Sequence, residues 1–428
     1  MNEHSENQKT AASAAEDSSL FRRVKTEIKK FLIRKIITPC LYYFFCLWPM
    51  HEDRVLFVEA HSTKLSDNFA ILYSILQKNY QLDVRMICLN KRAAGSRYYS
   101  VAIRFLKEAA RSKYVLFDDA SQIQGSMGKR KGQVYVQMWH AAGAFKKFGL
   151  STADKIFGEN GKNSARYPTN AAYDLVTVSS PEICWAYAEA MGKERNGQAV
   201  RATGLSRTDV FFDPAFLEAA RERVCSRFPL NGRRILLYAP TFRGRVAHAQ
   251  GPDGLDISAL AAGLRDQWVL LIKHHPFVKG NARQPIPEDC KDFAFDVSDS
   301  FTIEDLLCVS DLCITDYSSL IFEYSLFERP MVFFAYDLAD YEDWRGFYYP
   351  YEELTPGPVL STTEQLVDYI RYVDERFDPE VVSAFREKFM SACDGHATER
   401  ILDFLNSRGL SRYAVSPAEN IKKQEGLT

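Results

Sequence analysis

The chain has 428 residues, of which 46% are hydrophobic and 25% are charged, and its formal net charge is −1. This composition supplies a large core and excludes a disordered or fibrous protein, the length favours two domains, and the nearly neutral charge excludes a global basic field for nucleic acid. The nine cysteines form no C-x-x-C pair and no Cys/His cluster at zinc spacing, which predicts reduced thiols in a reducing cytosol and no structural metal.

The amino-terminal 51 residues divide into a polar tail and a basic, apolar segment. Residues 1–18 are polar and small and lack hydrophobic periodicity, so we predict a disordered tail. Residues 19–51 begin as a basic amphipathic helix and continue as an apolar, aromatic run that is too short to span a bilayer and is interrupted by Pro39. We expect this membrane-association segment to lie at the lipid interface, where lysines and arginines meet anionic lipid. The alternatives are a helix packed on the domain and a signal peptide, which is disfavoured because no small-x-small cleavage site follows.

From residue 52 onward, short β-branched runs alternate with longer amphipathic segments. The first half has predicted strands at 54–60, 84–89, 114–119, 134–139 and 175–180, with helical patterns over 68–78 and 98–112. The second half has predicted strands at 234–240, 268–275, 293–298, 312–316 and 331–337. Continuously apolar strands that alternate with helices predict parallel sheets covered on both sides. We therefore predict an α/β protein with two Rossmann-like domains facing a cleft, residues 52–215 and 216–410, followed by a tail over 411–428.

A polar island interrupts the apolar stretch "SDLCITDYSSLIFEYSLFERPMVFF", residues 310–334. "LCIT" predicts a buried strand, and apolar residues at helical spacing resume five residues later, so Asp316 to Ser319 occupy a strand-to-helix turn. The hydroxyls of Ser318 and Ser319 and the free amide groups of such a turn can hold a diphosphate. Glu323, one turn further on, could accept hydrogen bonds from a ribose diol. The alternative interpretation is that Asp316 and the serines only cap the helix.

Other polar residues follow predicted strands in the same way. His140 lies just past the strand 134–139 and precedes small residues that let a backbone approach a ligand, so its imidazole is a candidate general base. At the end of another strand, one residue of the run Lys273, His274 and His275 could stabilise charge on a reacting phosphate. Weaker candidates, for contacts to the acceptor or to phosphate, are Lys146, Lys147, Arg243 and Arg345. For these residues a core histidine or a solvated cationic face remains the structural alternative.

Seven motifs occur in a fixed order along the chain: WHAAGAFKKFG, TGLSRTD, YAPTFR, KHHP, ITDYSSLIFEYSLFERPMVFFAYDLADY, RGFYY and PGPV. With them the sequence from about residue 52 to 405 resembles the CDP-glycerol glycerophosphotransferases that build teichoic-acid and related polymers. The resemblance implies a GT-B fold, in which the C-terminal domain holds CDP-glycerol and the N-terminal domain takes the acceptor. It implies attack of an acceptor hydroxyl on the β-phosphate with release of CMP, His140 as the base and His275 as a second catalytic or phosphate-stabilising histidine. The donor-binding residues that it implies are Arg207, Pro240, Thr241, Lys273, Asp316, Ser318, Ser319 and Glu323.

Two features depart from the common family pattern. Many members carry His-Gly-Thr-Pro before the lysine pair, whereas here Ala-Ala-Gly-Ala-Phe follows His140 and the lysines fall one position later, which resembles a variant branch. The acidic residue five positions past the first serine is often Asp, and here it is Glu323.

The resemblance also sets the expected cofactors, partners and location. The donor substrate would be CDP-glycerol or a related CDP-polyol, without a cofactor, and the partners would be a lipid-linked polymer acceptor and a membrane surface, not nucleic acid. We expect a peripheral enzyme on the cytoplasmic face of the cell membrane. Two other functions stay open: a GT-B glycosyltransferase that uses a nucleotide sugar for capsule synthesis, and a membrane-tethered scaffold with a degenerate nucleotide cleft. Intact His140, His275 and the serine pair argue against the scaffold.

Overall fold

The computed structural model describes residues 21–22, 24–60, 62–153, 161–192, 196–244, 248–339 and 346–415. The predicted disordered tail over residues 1–18 and the candidate residue Arg345 lie outside the described residues, as does most of the predicted tail at the other end.

Two parallel sheets of six strands each form the framework. The first sheet has the order β2-β1-β3-β4-β5-β6 and consists of β1 (His51–Glu59), β2 (Asp83–Cys88), β3 (Ser112–Phe117), β4 (Val134–Gln137), β5 (Leu175–Thr177) and β6 (Val200–Arg201). The second has the order β12-β11-β10-β7-β8-β9 and consists of β7 (Arg234–Tyr238), β8 (Trp268–Ile272), β9 (Ala294–Asp296), β10 (Leu312–Thr315), β11 (Met331–Phe334) and β12 (Val359–Leu360). All ten predicted strands are confirmed. The two-residue strands β6 and β12 were not predicted, because so short a run carries no periodicity.

Helices lie on both faces of these sheets, as the continuously apolar strands predict. In the first half they are Thr38–Phe45, Asp67–Asn79, Lys91–Ala94, Tyr98–Arg111, Gly161–Arg166 and Cys184–Met191. In the second half they are Pro214–Cys225, Ile257–Leu264, Ile303–Val309, Leu320–Tyr324, Thr363–Arg371, Val373–Arg376, Pro379–Met390 and Ala397–Ser407. The two helical patterns predicted in the first half, 68–78 and 98–112, correspond to Asp67–Asn79 and Tyr98–Arg111 and are confirmed.

The final described helix, Ala397–Ser407, packs against the first sheet although it follows the second. Its side chains Ile401 and Leu405 are fully buried in one cluster with Phe57 of β1 and Phe69 of the helix Asp67–Asn79. The first half of the structure is therefore completed by residues from the far end of the described chain.

The loop after β4 inserts between the two halves. Gly143 has a φ of +62°, and an added Cβ there would lie 2.3 Å from the ring of Phe322 in the second half. Three residues further on, Lys146 forms an antiparallel bridge with Phe347. We predicted that the small residues after His140 admit a ligand; at Gly143 they admit a phenylalanine ring of the protein, because only a residue without Cβ fits this contact.

The amino-terminal segment lies along the first half as one helical run. Residues 24–31 are helical, Leu32–Ile37 form a π-helical turn, and the helix Thr38–Phe45 follows. Its buried positions are Arg34, Thr38 and Tyr42, which are spaced by four and so share one face. Among the residues that the structure describes, no helix combines the length and the hydropathy needed to cross a membrane.

Candidate functional site

The strand orders define one switch point in each sheet. In the second sheet β7 and β10 are neighbours, and the chain continues from them to strands on opposite sides, so the loops after both flank a crevice. Thr241 follows β7, and the turn from Asp316 to Ser319 follows β10. In the first sheet β1 and β3 are the corresponding pair, and β1 ends at Glu59 while Asp118 directly follows β3. Ligands of open α/β sheets bind at such points.

The predicted strand-to-helix turn is confirmed, since β10 ends at Thr315 and the helix begins at Leu320. Within it, Asp316 is 2% exposed, and its carboxylate accepts hydrogen bonds from the Thr241 backbone N–H at 2.8 Å and from the Thr241 hydroxyl at 3.0 Å. Both serines are partly exposed, and Ser319, at the N-cap position, makes no side-chain capping bond to the described helix. Asp316 therefore joins two strand ends. The Ser318 hydroxyl accepts a hydrogen bond from the Leu320 N–H at 3.4 Å, and both serine side chains remain partly exposed.

Arg243 lies inside an ion-pair network at the same strand ends. Its Nε and Nη2 donate to the two oxygens of Asp337 at 2.6 and 3.0 Å, and its Nη1 donates to Asp316 at 2.9 Å. These two carboxylates raise the pKa of the guanidinium against the opposing effect of its burial. The Tyr317 hydroxyl also donates to Asp337, at 2.9 Å. Arg243 was predicted as a contact to the acceptor or to phosphate. In the structure its guanidinium links the loops after β7, β10 and β11.

His140 lies beside a carboxylate that is not among the predicted site residues. Its Nδ1 is 3.4 Å from Oδ2 of Asp119, which follows β3, the strand next to β4. The imidazole side chain is 43% exposed and the aspartate 11% exposed. The preceding residue, Trp139, has a φ of +54°, which is strained for a large side chain, and its ring lies 4.7 Å from the imidazole. Because Nδ1 faces Asp119, a proton exchange by this imidazole would use its other ring nitrogen, Nε2.

The neighbouring carboxyl group, that of Asp118, is buried and has a raised pKa. It accepts a hydrogen bond from the Ala60 N–H at 2.7 Å and lies near the fully buried Glu59. Desolvation, with the charge of Glu59 adding to it, raises the pKa of Asp118 to about 8. The sequence carried a signal for this pair, because "YVLFDD" ends an apolar strand on two aspartates, as the other selected strands end on polar residues.

An ion pair between the two halves connects His140 with the serine turn. Arg207 Nε donates to Glu323 at 2.6 Å, and its Nη2 contacts the same oxygen. Its Nη1 donates to the backbone carbonyl of His140 at 3.0 Å. Since Glu323 lies in the helix that begins just after Ser319, the structure brings His140, Arg207, Glu323 and the serine turn together.

The run of Lys273, His274 and His275 after β8 separates into three environments. Lys273 Nζ donates to the carbonyls of Ser298 at 2.8 Å and Phe301 at 2.6 Å, and burial lowers its pKa. His274 is 2% exposed, neither ring nitrogen has a hydrogen-bond partner among the described residues, and burial lowers its pKa. His275 is partly exposed.

His275 has a defined tautomer. Its Nδ1 accepts a hydrogen bond from the Phe277 N–H at 3.2 Å, so the proton of the neutral ring lies on Nε2. The ring packs at 4.9 Å from that of Phe242, which follows β7. His275 can therefore donate a hydrogen bond to a phosphate oxygen from a fixed ring.

Three further candidates lie among the described residues. Lys146 and Lys147 are partly exposed in the segment that pairs with the second half, where the Lys147 N–H donates to the Gly346 carbonyl at 3.1 Å. Pro240 is buried two residues after the end of β7. Arg345 lies outside the described residues. Within the described part of the chain, no group of three or more His, Cys, Asp or Glu residues could hold a metal ion.

Comparison with known proteins assigns the family. A family model described as CDP-glycerol:poly(glycerophosphate) glycerophosphotransferase matches residues 40–407. The teichoic acid poly(ribitol-phosphate) polymerase of Bacillus spizizenii is 36% identical over 381 residues, which cover 87% of this chain but only 59% of the polymerase's length. The teichoic acid ribitol-phosphate primase of the same species is 35% identical over 367 residues, covering 84% of this chain and 92% of the primase. The teichoic acid glycerol-phosphate transferase of Staphylococcus aureus is 28% identical, covering 87% and 98%.

A solved structure of the wall teichoic acid polymerase TagF is similar with a TM-score of 0.70 at 22% identity, covering 91% of this chain and 97% of that chain. This likeness confirms the predicted α/β, GT-B-like fold with two parallel sheets. The predictions of the family and of a phosphotransferase enzyme are likewise confirmed: the chain belongs to the CDP-glycerol:poly(glycerophosphate) glycerophosphotransferase family.

Proposed function

We propose that the chain transfers a polyol phosphate from a CDP-polyol to a hydroxyl of a lipid-linked acceptor and releases CMP. The observation that carries this proposal is the link from His140 through Arg207 and Glu323 to the Ser318–Ser319 turn. The acceptor oxygen bonds to the β-phosphorus, the bond from that phosphorus to the bridging oxygen breaks, and CMP leaves with the electron pair. The acceptor proton passes to Nε2 of His140.

Each further candidate has a role that follows from its contacts. The serine hydroxyls and nearby amides would hold the diphosphate, and Nε2–H of His275 would donate to an oxygen of the reacting phosphate. Asp119 acts through His140, because a carboxylate 3.4 Å from Nδ1 orients the ring and stabilises the imidazolium formed during transfer. Asp119 is thus a positioning residue.

Several predicted site residues stabilise the geometry of the site. Thr241, Asp316 and Arg243 bind one another across neighbouring strand ends, and Lys273 is bound to two backbone carbonyls. Such contacts fix the loops that approach the diphosphate, and positional precision of this kind supports the rate of transfer.

We infer that the donor is CDP-ribitol, with CDP-glycerol as the alternative. Four relatives named for ribitol phosphate are 32 to 36% identical to this chain. Four relatives named for glycerol phosphate are 25 to 30% identical.

The test is CMP release from a panel of CDP-ribitol, CDP-glycerol and a UDP-sugar in the presence of a lipid-linked acceptor. We expect turnover with a CDP-polyol, loss of turnover in H140A and retention in H396A, a control at an exposed histidine paired with Glu399. The same donors should raise the melting temperature by mass action. Turnover of the UDP-sugar alone would establish the glycosyltransferase alternative.

We propose that residues 21–48 bind the membrane surface with the apolar face outward. The run packs on the first half through a polar face: Arg34 donates to the Ser126 hydroxyl at 3.1 Å and to the Pro168 carbonyl, and Thr38 and Tyr42 are buried on the same face. Large hydrophobic residues at least 38% exposed are Phe21, Val24, Ile28, Phe31, Leu32, Ile36, Ile37, Tyr43, Phe44, Leu47 and Trp48. A helix that only packs on its domain would turn these inward.

Cosedimentation with phospholipid vesicles tests the membrane proposal. F44E/L47E should abolish binding, whereas Y372E/V381E, at exposed apolar residues of the second half, should leave it intact. Equal binding of both double variants would remove the segment from this role. Together with a cytoplasmic nucleotide donor, such binding supports a peripheral location on the cytoplasmic face of the membrane.

A further inference from the structure

A cavity lies at the amino-terminal ends of strands β3 and β4, opposite the strand ends that form the proposed transfer site. It has a volume of about 560 Å³, and its lining includes five cations and one carboxylate: Lys113, Lys129, Arg130, Lys131, Arg408 and Asp174. Lys113 lies near the start of β3, whereas Asp119 follows the end of that strand. A strand rises about 3.3 Å per residue, so about 20 Å separate this basic pocket from the His140 site.

The charges of the basic pocket are only partly compensated by the described residues. Asp174 contacts Lys129 and accepts a hydrogen bond from the Tyr135 N–H, and Lys113 pairs with Glu52 at 3.0 Å. Two carboxylates therefore face five cations.

The other three cations face no carboxylate. Arg130 donates to a neutral acceptor, the backbone carbonyl of Trp48, at 2.7 Å. Lys131 and Arg408 are exposed, and no carboxylate of the described residues lies within ion-pair distance of either. The pocket thus keeps an excess of positive charge, which suits a phosphate with several acceptor oxygens.

The basic pocket adjoins the end of the apolar face of residues 21–48. Besides the bond from Arg130 to the Trp48 carbonyl, a Cβ added to Gly132 would lie 3.6 Å from the Met50 side chain. Leu47 is 78% exposed and Trp48 44% exposed beside it. At a membrane surface, apolar and aromatic side chains lie at the boundary of the acyl chains while lysines and arginines lie at the phosphates. The pocket and the apolar face have this arrangement.

We propose that the basic pocket binds the phosphate of an anionic phospholipid headgroup while the apolar face of residues 21–48 contacts the acyl chains. The proposal rests on the proposed membrane association and adds a specific headgroup site to it. A phospholipid is favoured over a free phosphate because the pocket continues into exposed apolar side chains, which a free anion would not use.

The experiment compares binding of the full chain to vesicles of phosphatidylcholine with and without phosphatidylglycerol. The test variant is K131E/R408E, and the control is R221E/R227E, which makes the same change in net charge at exposed arginines of the second half. The parent and the control should bind phosphatidylglycerol vesicles more tightly than phosphatidylcholine vesicles. In K131E/R408E this preference should fall about tenfold or more, as expected for two basic residues at an anionic surface. CMP release with a detergent-solubilised acceptor should be unchanged, which shows that the variant folds.

Each alternative outcome has a separate meaning. If both double variants lost the preference for phosphatidylglycerol vesicles equally, the vesicles would be attracted by the overall charge of the protein. That result would overturn the headgroup site. A parent that binds both vesicle types equally would overturn the site but leave the membrane association standing. Binding to neither vesicle type would overturn the membrane association and the site with it. Calorimetric binding of inorganic phosphate that is lost in K131E/R408E, without a lipid preference in the parent, would identify a site for free anions and overturn the lipid assignment.

Discussion

Replacement of Asp119 by asparagine tests the proposed mechanism most directly, because it changes one charge beside His140 and almost no volume. In the parent, Oδ2 of Asp119 lies 3.4 Å from Nδ1 of His140 and stabilises the imidazolium. Coulomb's law gives about 5 kcal/mol for this pair at an effective dielectric constant of about 20 and about 1 kcal/mol in bulk water. The imidazole is 43% exposed, so solvent screening places the value near the lower limit, at about 1–2 kcal/mol.

An interaction of this size corresponds to about tenfold in rate, and loss of the ring orientation adds to it. We expect D119N to lower kcat about 10- to 100-fold with little change in the KM for the CDP-polyol, since Asp119 does not contact the nucleotide in the proposed site. The acidic limb of the pH–rate profile should move to lower pH, because the imidazolium loses a nearby anion.

The assay is steady-state CMP release across a pH series. E399Q serves as the control, since it removes a carboxylate charge 3.0 Å from an exposed histidine outside the site, His396, and we expect it to keep the parental kcat and pH profile. A D119N enzyme with the parental pH profile would refute the positioning role, even if its kcat were lower, because a purely structural defect lowers rates without moving that limb.

Three further predictions concern stability. Burial raises the pKa of Asp118 to about 8, so the folded state binds this proton more tightly than the unfolded chain, and the free energy of unfolding should fall as pH rises from about 4 toward 8. Urea titrations of D118N across this range should show a weaker fall, and an unchanged slope would contradict the assignment. E323Q should lower the free energy of unfolding by about 1–3 kcal/mol, because it removes the carboxylate that pairs with the partly buried guanidinium of Arg207; a smaller loss in R207Q/E323Q would support this cause. G143A should destabilise by about 1–3 kcal/mol or more in thermal melts, and more than G280A, since a Cβ meets an aromatic ring 2.3 Å away at residue 143 and open space at residue 280.

Much of the framework could be predicted from local sequence. Every one of the ten predicted strands is present, because a strand buried on both faces must be continuously apolar whatever its neighbours are. The turn at Asp316 to Ser319 could be placed for the same reason, since a polar island between a buried strand and a helical pattern marks the end of one element and the start of the next. The motif order was sufficient to identify the family.

The hydrogen-bond and ion-pair partners of the polar side chains could not be predicted from the local sequence. Asp119 meets His140 only because β3 and β4 are adjacent in the sheet, and strand order is not encoded in the periodicity of either strand. Arg207 and Glu323 were selected separately as ligand contacts, yet across 116 positions of sequence they bind each other. Arg243 was predicted as a contact to the acceptor or to phosphate, and its local sequence did not indicate that it binds the carboxylates of Asp316 and Asp337.

In the amino-terminal segment, too, local sequence predicted the secondary structure and tertiary packing decided the contacts. Its composition determined that it is basic, apolar and helical, but only the packing on the first half decided that Arg34, Thr38 and Tyr42 turn inward and the large hydrophobic residues outward. The apolar pattern of a strand or a helix is carried by residues that are close together in sequence, so the sequence alone determined the strands, the helices and their polar ends. Electrostatic and hydrogen-bond partners depend on distances between atoms that are far apart along the chain, and those distances exist only once the sheets have assembled and docked.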